Sequence, residues 1–254
     1  MKVTFLGSGT STGVPVIGCK CRVCSSSDPR NNRLRQSVFV ENRGVSILVD
    51  ATIDFRQQAL RFAMERIDAI LVTHPHADHV LGLDETRIFN YRQKMSIPIY
   101  GTKETLAGIK RSLWYSFEDG IQRGGGLPEL ELHEIEGEFS VGGQTVIPLD
   151  GKHGEQSVTG FRLDDFAYLT DYKTVPESTY EKLKGAKVLV VNALRESPRH
   201  STHFTVGEAL EVVERVSPEK AYLVHLGHEV DYEELNAKLP EGVEPAYDGL
   251  ILDI

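Results

Sequence analysis

The chain has 254 residues, 40% of them hydrophobic and 26% charged, which is the balance of a globular protein and not of a disordered or fibrous one. At this length roughly three quarters of the unfolded surface can be buried, enough for one large domain spanning 1–254. The net charge of −9 argues against broad electrostatic capture of nucleic acid, which relies on basic patches, and no run approaches the roughly 20 apolar residues of a membrane span.

Residues 2–6 read as a strand and 7–15 as a glycine-punctuated loop, Gly-Ser-Gly-Thr-Ser-Thr-Gly-Val-Pro. This N-terminus has neither the apolar core nor the cleavage site of a signal peptide, so a cytoplasmic location is expected. A Gly-x-Gly pair opens a dinucleotide site only when a helix follows, and here Pro15 interrupts. The loop suits a backbone passing close beneath a site. Cys19, Cys21 and Cys24 are all the cysteines of the chain. Three thiols make a poor disulfide framework, whereas three thiolates so closely spaced can fold around one tetrahedral zinc if a fourth ligand arrives from elsewhere. The basic run Arg30 to Arg35, with Asn31 and Asn32, reads as a solvated loop. Residues 36–41 and 45–49 read as a hairpin around Asn42-Arg43-Gly44. Asp50, at its end, is either a polar strand terminus or a partner for a ligating histidine. Helical spacing follows over 53–65.

Residues 69–72 form an apolar strand that runs into His74, His76, Asp78 and His79. In extended backbone alternate side chains share a face, which predicts that His74, His76 and Asp78 converge while His79 serves a second, adjacent metal. Imidazole with carboxylate suits zinc, manganese or iron better than magnesium or calcium. A polar turn explains one His beside one Asp, but not three His and one Asp in six residues. The His-x-His-x-Asp-His pattern resembles the signature of the metallo-β-lactamase superfamily.

Beyond it, 97–100 reads as a strand and 102–112 as a helix. Residues 113–128 hold Trp114, Tyr115, Phe117 and Gly124-Gly125-Gly126; core packing is the expected use of the aromatics, with a cover over substrate as the alternative. Strands are expected at 130–135 and 144–149, with His133 on the surface and His153 on the loop after the second. Phe166 to Leu169 is another apolar strand, ending in Thr170 and Asp171. Together with the opening motif, His153 and Asp171 supply a third ligand and a bridging carboxylate. A helix at 176–184 and a strand at 187–191 lead to a loop containing His200 and His203. Thr205 and Glu208 form a capping box for the next helix, so His203 stands just outside a helix N-terminus. The strand 221–224 ends in His225-Leu226-Gly227-His228, and a helix at 231–238 and a strand near 250–252 close the chain. Strands alternating with helices, plus hairpins, indicate a layered α/β protein.

From Phe5-Leu6-Gly7-Ser8-Gly9-Thr10 to Ala246-Tyr247-Asp248-Gly249 the chain resembles the PhnP-type branch of that superfamily. The resemblance implies an αββα sandwich with two divalent ions, zinc or manganese, at one edge. His74, His76 and His153 would hold the first, Asp78, His79 and His225 the second, with Asp171 bridging. Cys19, Cys21, Cys24 and His228 would hold a structural zinc. Asp78 and His203 would be the catalytic residues, with His203 the general acid and His200 its rival. The implied activity is phosphodiester hydrolysis of a small substrate such as phosphoribosyl 1,2-cyclic phosphate, in which a hydroxide shared by the two metals attacks phosphorus. A tRNA 3′-processing nuclease, a lactonase and a non-catalytic PqqB-like protein are the competing readings. A homodimer is compatible with the sequence; nucleic-acid or membrane partners are not expected.

Overall fold

The computed structural model describes residues 1–118, 120 and 126–254. Its first sheet contains β1 (Lys2–Gly7), β2 (Ser37–Asn42), β3 (Val45–Val49), β4 (Ala69–Leu71), β5 (Ile97–Gly101) and β6 (Leu130–Glu134). The second contains β7 (Phe139–Val141), β8 (Gln144–His153), β9 (Gln156–Leu163), β10 (Phe166–Leu169), β11 (Val188–Asn192), β12 (Lys220–Val224) and β13 (Val243–Pro245). The last strand, β14 (Ile251–Asp253), returns to pair with β1, so each sheet has seven strands. Both sheets are built alike. In the first, β3 to β6 run parallel and the remainder antiparallel; in the second, β10 to β13 are the parallel half.

Period-two alternation decides which residues fill which layer. Val38, Val40, Ile47, Val49, Ala69 and Leu71 face Phe166, Tyr168, Val188, Val190, Tyr222 and Val224 between the sheets. The residues between them point outward: Phe39, Leu48 and Ile70 pack on Phe55, Phe89, Leu106 and Ile109 of the helices covering the first sheet. Leu169, Leu189, Val191 and Leu223 pack likewise on Leu183, Val206, Ala209 and Leu235. Three buried clusters separate four layers, which is the αββα sandwich. Each fully buried Leu, Ile or Phe contributes roughly 1.5–3 kcal/mol to holding the layers together.

Several sequence expectations change. β8 continues through Gly151 and Lys152 to His153, so this histidine ends a strand and does not sit on a loop. β9, which the sequence reading passed over, pairs with β8 along its whole length, from Val146↔Leu163 to His153↔Gln156. Tyr115 and Phe117 pack against the outer core, whereas Trp114 is half exposed. Gly124 and Gly125 lie outside the described residues. The run Arg30 to Arg35 is not a solvated loop. Arg33 is 1% exposed, Asn31 is buried, and Arg35 Nη1 donates to both carboxylate oxygens of Asp54, at 2.9 and 3.0 Å. No helix among the described residues is long and apolar enough to cross a membrane.

Candidate metal centre

The polar side chains gather where the parallel halves of both sheets end. In parallel sheets the C-terminal strand ends are where successive loops converge, so residues distant in sequence meet there. Asp50 follows β3, His74 lies just beyond β4, Asp171 lies beyond β10 and His225 follows β12. Asp50, Asp171 and His225 all adopt left-handed backbone, with φ of 62°, 62° and 59°. The left-handed turn bends each chain sharply off its strand. Non-glycine residues adopt it at a cost and only where the surroundings impose it.

The opening motif is not extended throughout. His76 has extended backbone, and Ala77–Val80 then forms a helical turn that carries Asp78 and His79. Alternation therefore explains the pairing of His74 with His76, but Asp78 and His79 reach the centre from a helix. The glycine of the following Val-Leu-Gly-Leu makes this possible: a Cβ on Gly82 would lie 1.9 Å from the Thr52 carbonyl oxygen. No other residue lets the two backbones pass so closely.

His74 Nε2 faces His76 Nδ1 at 2.9 Å, and the His153 ring lies 5.4 and 5.2 Å from those two rings. The donor atoms of His74, His76 and His153 fall within 4.8 Å of one another. His74, His79 and Asp171 form a second such group, and His153, Asp171 and His203 a third. Asp171 stands in the middle. Its Oδ2 is 3.5 Å from His79 Nε2, while its Oδ1 is 3.1 Å from His225 Nε2 and 3.6 Å from His203 Nδ1. Asp78 Oδ2 approaches His79 Nε2 at 3.4 Å. His200 sits at the rim, its ring 5.1 Å from that of His203, with Nδ1 accepting from the Thr202 hydroxyl at 3.1 Å.

Hydrogen bonds on the far side of the rings fix which nitrogens are free. His79 Nδ1 donates to Asp50 Oδ2 at 2.7 Å, and His153 Nδ1 donates to the Thr202 carbonyl at 2.9 Å. In a neutral imidazole this leaves the lone pair on Nε2, turned into the centre. Asp50 thus contacts a candidate ligating histidine, as the second of its two sequence readings has it, and is itself held by the amide and hydroxyl of Thr73 at 2.9 and 2.8 Å.

This arrangement fits divalent cations. His225 Nδ1 and His203 Nδ1 are buried without a hydrogen-bond partner, and His225 Nε2 has only the Asp171 carboxylate beside it. Buried polar atoms are seldom left so. Burial opposes charge on His79, yet Asp50 and Asp171 outweigh it and hold its pKa well above the usual imidazole range. Burial together with charge on His79 drives His74 well below that range. Without a metal, the carboxylates must draw a proton onto one imidazole; a cation among them would replace it. Burial, then charge on His225, lowers the His203 pKa to about 2 despite Asp171.

On the neighbouring loop the sulfurs of Cys19, Cys21 and Cys24 lie 3.3, 3.5 and 3.6 Å from His228 Nδ1. In a tetrahedral zinc site with the usual bond lengths, sulfur and nitrogen ligands are about 3.6 Å apart. All four donors fall within 4.8 Å of one another, so His228 stands where the distant fourth ligand is needed.

Two residues that matter were not legible in the sequence. Asp248 Oδ1 accepts from the Ser8 amide and hydroxyl at 2.9 and 2.8 Å, and its Oδ2 accepts from the Leu34 amide at 2.7 Å. It thereby pins the glycine-rich loop, whose Ser8 carbonyl receives the Leu226 amide next to His225. Arg33 is the other, and its contacts are taken up below. Neither carries a local signal, because every partner but one or two lies about 200 residues away.

A sandwich with histidines and carboxylates gathered at this edge is the architecture of the β-lactamase superfamily. The description "Beta-lactamase superfamily domain" matches residues 46–226. The crystal structure of a diphosphatase from the PhnP family superposes with a TM-score of 0.93 at 39% identity, covering 100% of this chain and 97% of that one. The chain belongs to the β-lactamase superfamily and, within it, to the PhnP family. Zn(2+)-bound PqqB from Methylobacterium extorquens shares the fold with a TM-score of 0.80 at 22% identity, each chain covered in full. An octanoyltransferase of Porphyromonas gingivalis is 36% identical over 254 residues, which are 98% of this chain and 51% of that protein. This chain thus spans about half the length of that relative.

Proposed function

We propose that the protein hydrolyses a phosphorus–oxygen ester or anhydride bond in a small substrate, using two divalent ions, zinc or manganese. The observation that carries this reading is the Asp171 carboxylate, with one oxygen toward His79 and the other toward His225 and His203. A carboxylate placed to be shared is what a pair of cations needs. His74, His76 and His153 would hold one ion and Asp78, His79 and His225 the other. Bound there, the ions supply Lewis acidity and a nucleophile competent near neutral pH.

The chain's own residues do the rest. Asp50 and the Thr202 carbonyl fix the tautomers of His79 and His153. Asp171 and Asp78 bring negative charge that balances part of the cationic charge, leaving a net positive pocket attractive to a phosphate group. His203, unpaired at Nδ1 and within reach of Asp171, would give a proton to the departing oxygen once the negative charge of a bound phosphate group offsets the burial and the charge on His225 that keep its ring neutral. A cyclic phosphodiester such as phosphoribosyl 1,2-cyclic phosphate is the first substrate class. A diphosphate is the second, favoured by the 39% identity to a PhnP-family diphosphatase. Acyl transfer through a thiol finds no support, since all three cysteines are gathered around His228. Nucleic acid fits poorly with a net charge of −9.

The test is a screen of the metal-loaded protein against bis-p-nitrophenyl phosphate, a ribose cyclic phosphate, a nucleoside diphosphate derivative and a lactone. Metal-dependent turnover of either phosphorus substrate is expected. Turnover of the lactone alone would move the protein to ester hydrolysis, and turnover of none would favour a binding role.

A further inference from the structure

Among the described residues Arg33 is the largest fully buried side chain, and it has no part in either candidate ligand set. Its guanidinium donates to the Gly227 carbonyl at 3.0 Å, the Val230 carbonyl at 2.9 Å, Asn31 Oδ1 at 3.0 Å and the Arg30 carbonyl at 3.2 Å. All four acceptors are neutral. The carboxylates of Asp248, Asp231 and Asp28 offset only part of the cost of burying this cation, and none of them is among its contacts, so its retention asks for a reason.

The geometry supplies one. Gly227 and Val230 bracket His228, and Gly227 lies two residues after His225, so Arg33 grips the loop that joins the two candidate metal sites. The loop has little slack: a Cβ on Gly227 would lie 3.0 Å from the Leu194 carbonyl oxygen. The Gly227 amide donates to that carbonyl at 2.8 Å, and the Leu194 amide donates to the Phe204 carbonyl at 2.9 Å, next to His203. On its other side the Arg33 backbone pairs with Val14 in both directions, at 2.7 and 2.8 Å, and the Val16 amide donates to Cys24 Sγ at 3.3 Å. Arg33 therefore touches the frame of the cysteine cluster and the frame of His225 and His203 at once.

Resting on the reading of both clusters as metal sites, we propose that Arg33 is a positioning residue that couples occupancy of the cysteine site to metal affinity at the catalytic centre. With the cysteine site filled, His228 is fixed between the two carbonyls that Arg33 grips, and loop 225–230 is held in register, so that His225 is presented to its ion. With it empty, that hold loosens, and the ion dependent on His225 binds more weakly.

Manganese is the probe, since its preference for oxygen and nitrogen donors keeps it out of the thiolate site. Mn2+ affinity would be measured by spin resonance of the free ion in wild type and Arg33→Gln, both with zinc retained at the cysteines, and in His228→Ala and the double variant, where loss of the fourth ligand empties that site. Each single change is expected to weaken Mn2+ binding about tenfold, within the usual range of coupling between sites. The double variant should be no weaker than the worse single one, because both act through one loop. A residue with only a structural role would lower the melting temperature and leave Mn2+ affinity alone; that result, or losses that multiply, overturns the proposal. Wild-type protein that takes up no Mn2+ would instead remove the metal-centre reading, and the coupling with it. If Arg33→Gln does not fold, Arg33→Lys keeps the charge but cannot reach both carbonyls. It should lose affinity in the same direction by a smaller factor, and unchanged affinity there overturns the coupling as well.

Discussion

His203 and Asp50 divide the labour of the site at the scale of single atoms. His203 presents an unpaired nitrogen toward Asp171. His203→Ala should keep its metal content by elemental analysis while turnover falls about 10²–10⁴-fold, the usual value of a well-placed proton donor. Loss of an ion in that variant would make His203 a ligand, a role its grouping with His153 and Asp171 also permits. Asp50 touches no substrate, but its Oδ2 accepts from His79 Nδ1 while the same carboxylate holds Thr73. Asp50→Asn weakens this orientation and should lower metal affinity about 10–100-fold, read by titration against a chelating indicator. The sequence showed that Asp50 stands at a strand end; it could not show that a helical turn brings His79 against it.

At the scale of elements, most strands were legible because buried strands in a two-sheet sandwich alternate strictly between two apolar layers. β9 was missed because its Gly160 and Arg162 interrupt the pattern. Gly160 is required by packing, since a Cβ there would meet the Tyr168 carbonyl oxygen at 2.4 Å. The turn Ala77–Val80 was read as extended because four residues are too few to show a helical period. The run Arg30 to Arg35 was read as solvated because composition cannot reveal acceptors about 200 residues distant. The candidate ligand residues stood out for the opposite reason: most lie at or just beyond strand ends, where a histidine or aspartate contrasts with apolar neighbours. The glycine-rich loop shows how an element depends on one such distant contact. Asp248→Asn keeps one acceptor oxygen where two are in use, leaving either the Ser8 or the Leu34 amide facing an NH2 group, and should cost about 1–3 kcal/mol in denaturant unfolding. Amide exchange should rise first at whichever of Ser8 and Leu34 loses its acceptor.

For the whole molecule, the seven-stranded sheets and their helices form the scaffold, and chemistry is confined to one edge. The three left-handed strand ends at Asp50, Asp171 and His225 place the scaffold's preference and the site's requirement in opposition. Asn tolerates this backbone better than Asp, but the Asp171 carboxylate, despite its burial, is drawn to charge on His225 and His79, which holds its pKa well below the usual range. Near neutral pH metal-free Asp171→Asn should therefore melt below metal-free wild type. With metal added the gap should widen, because only wild type regains the bound ion as stabilisation. Calorimetry with and without chelator checks the two gaps; equal gaps would contradict the prediction. The same opposition bears on engineering. Thermostability selection applied to metal-depleted protein would lose the ion's contribution as a guard on residues 50, 171 and 225, and would admit substitutions at these strand ends that metal-loaded protein would reject.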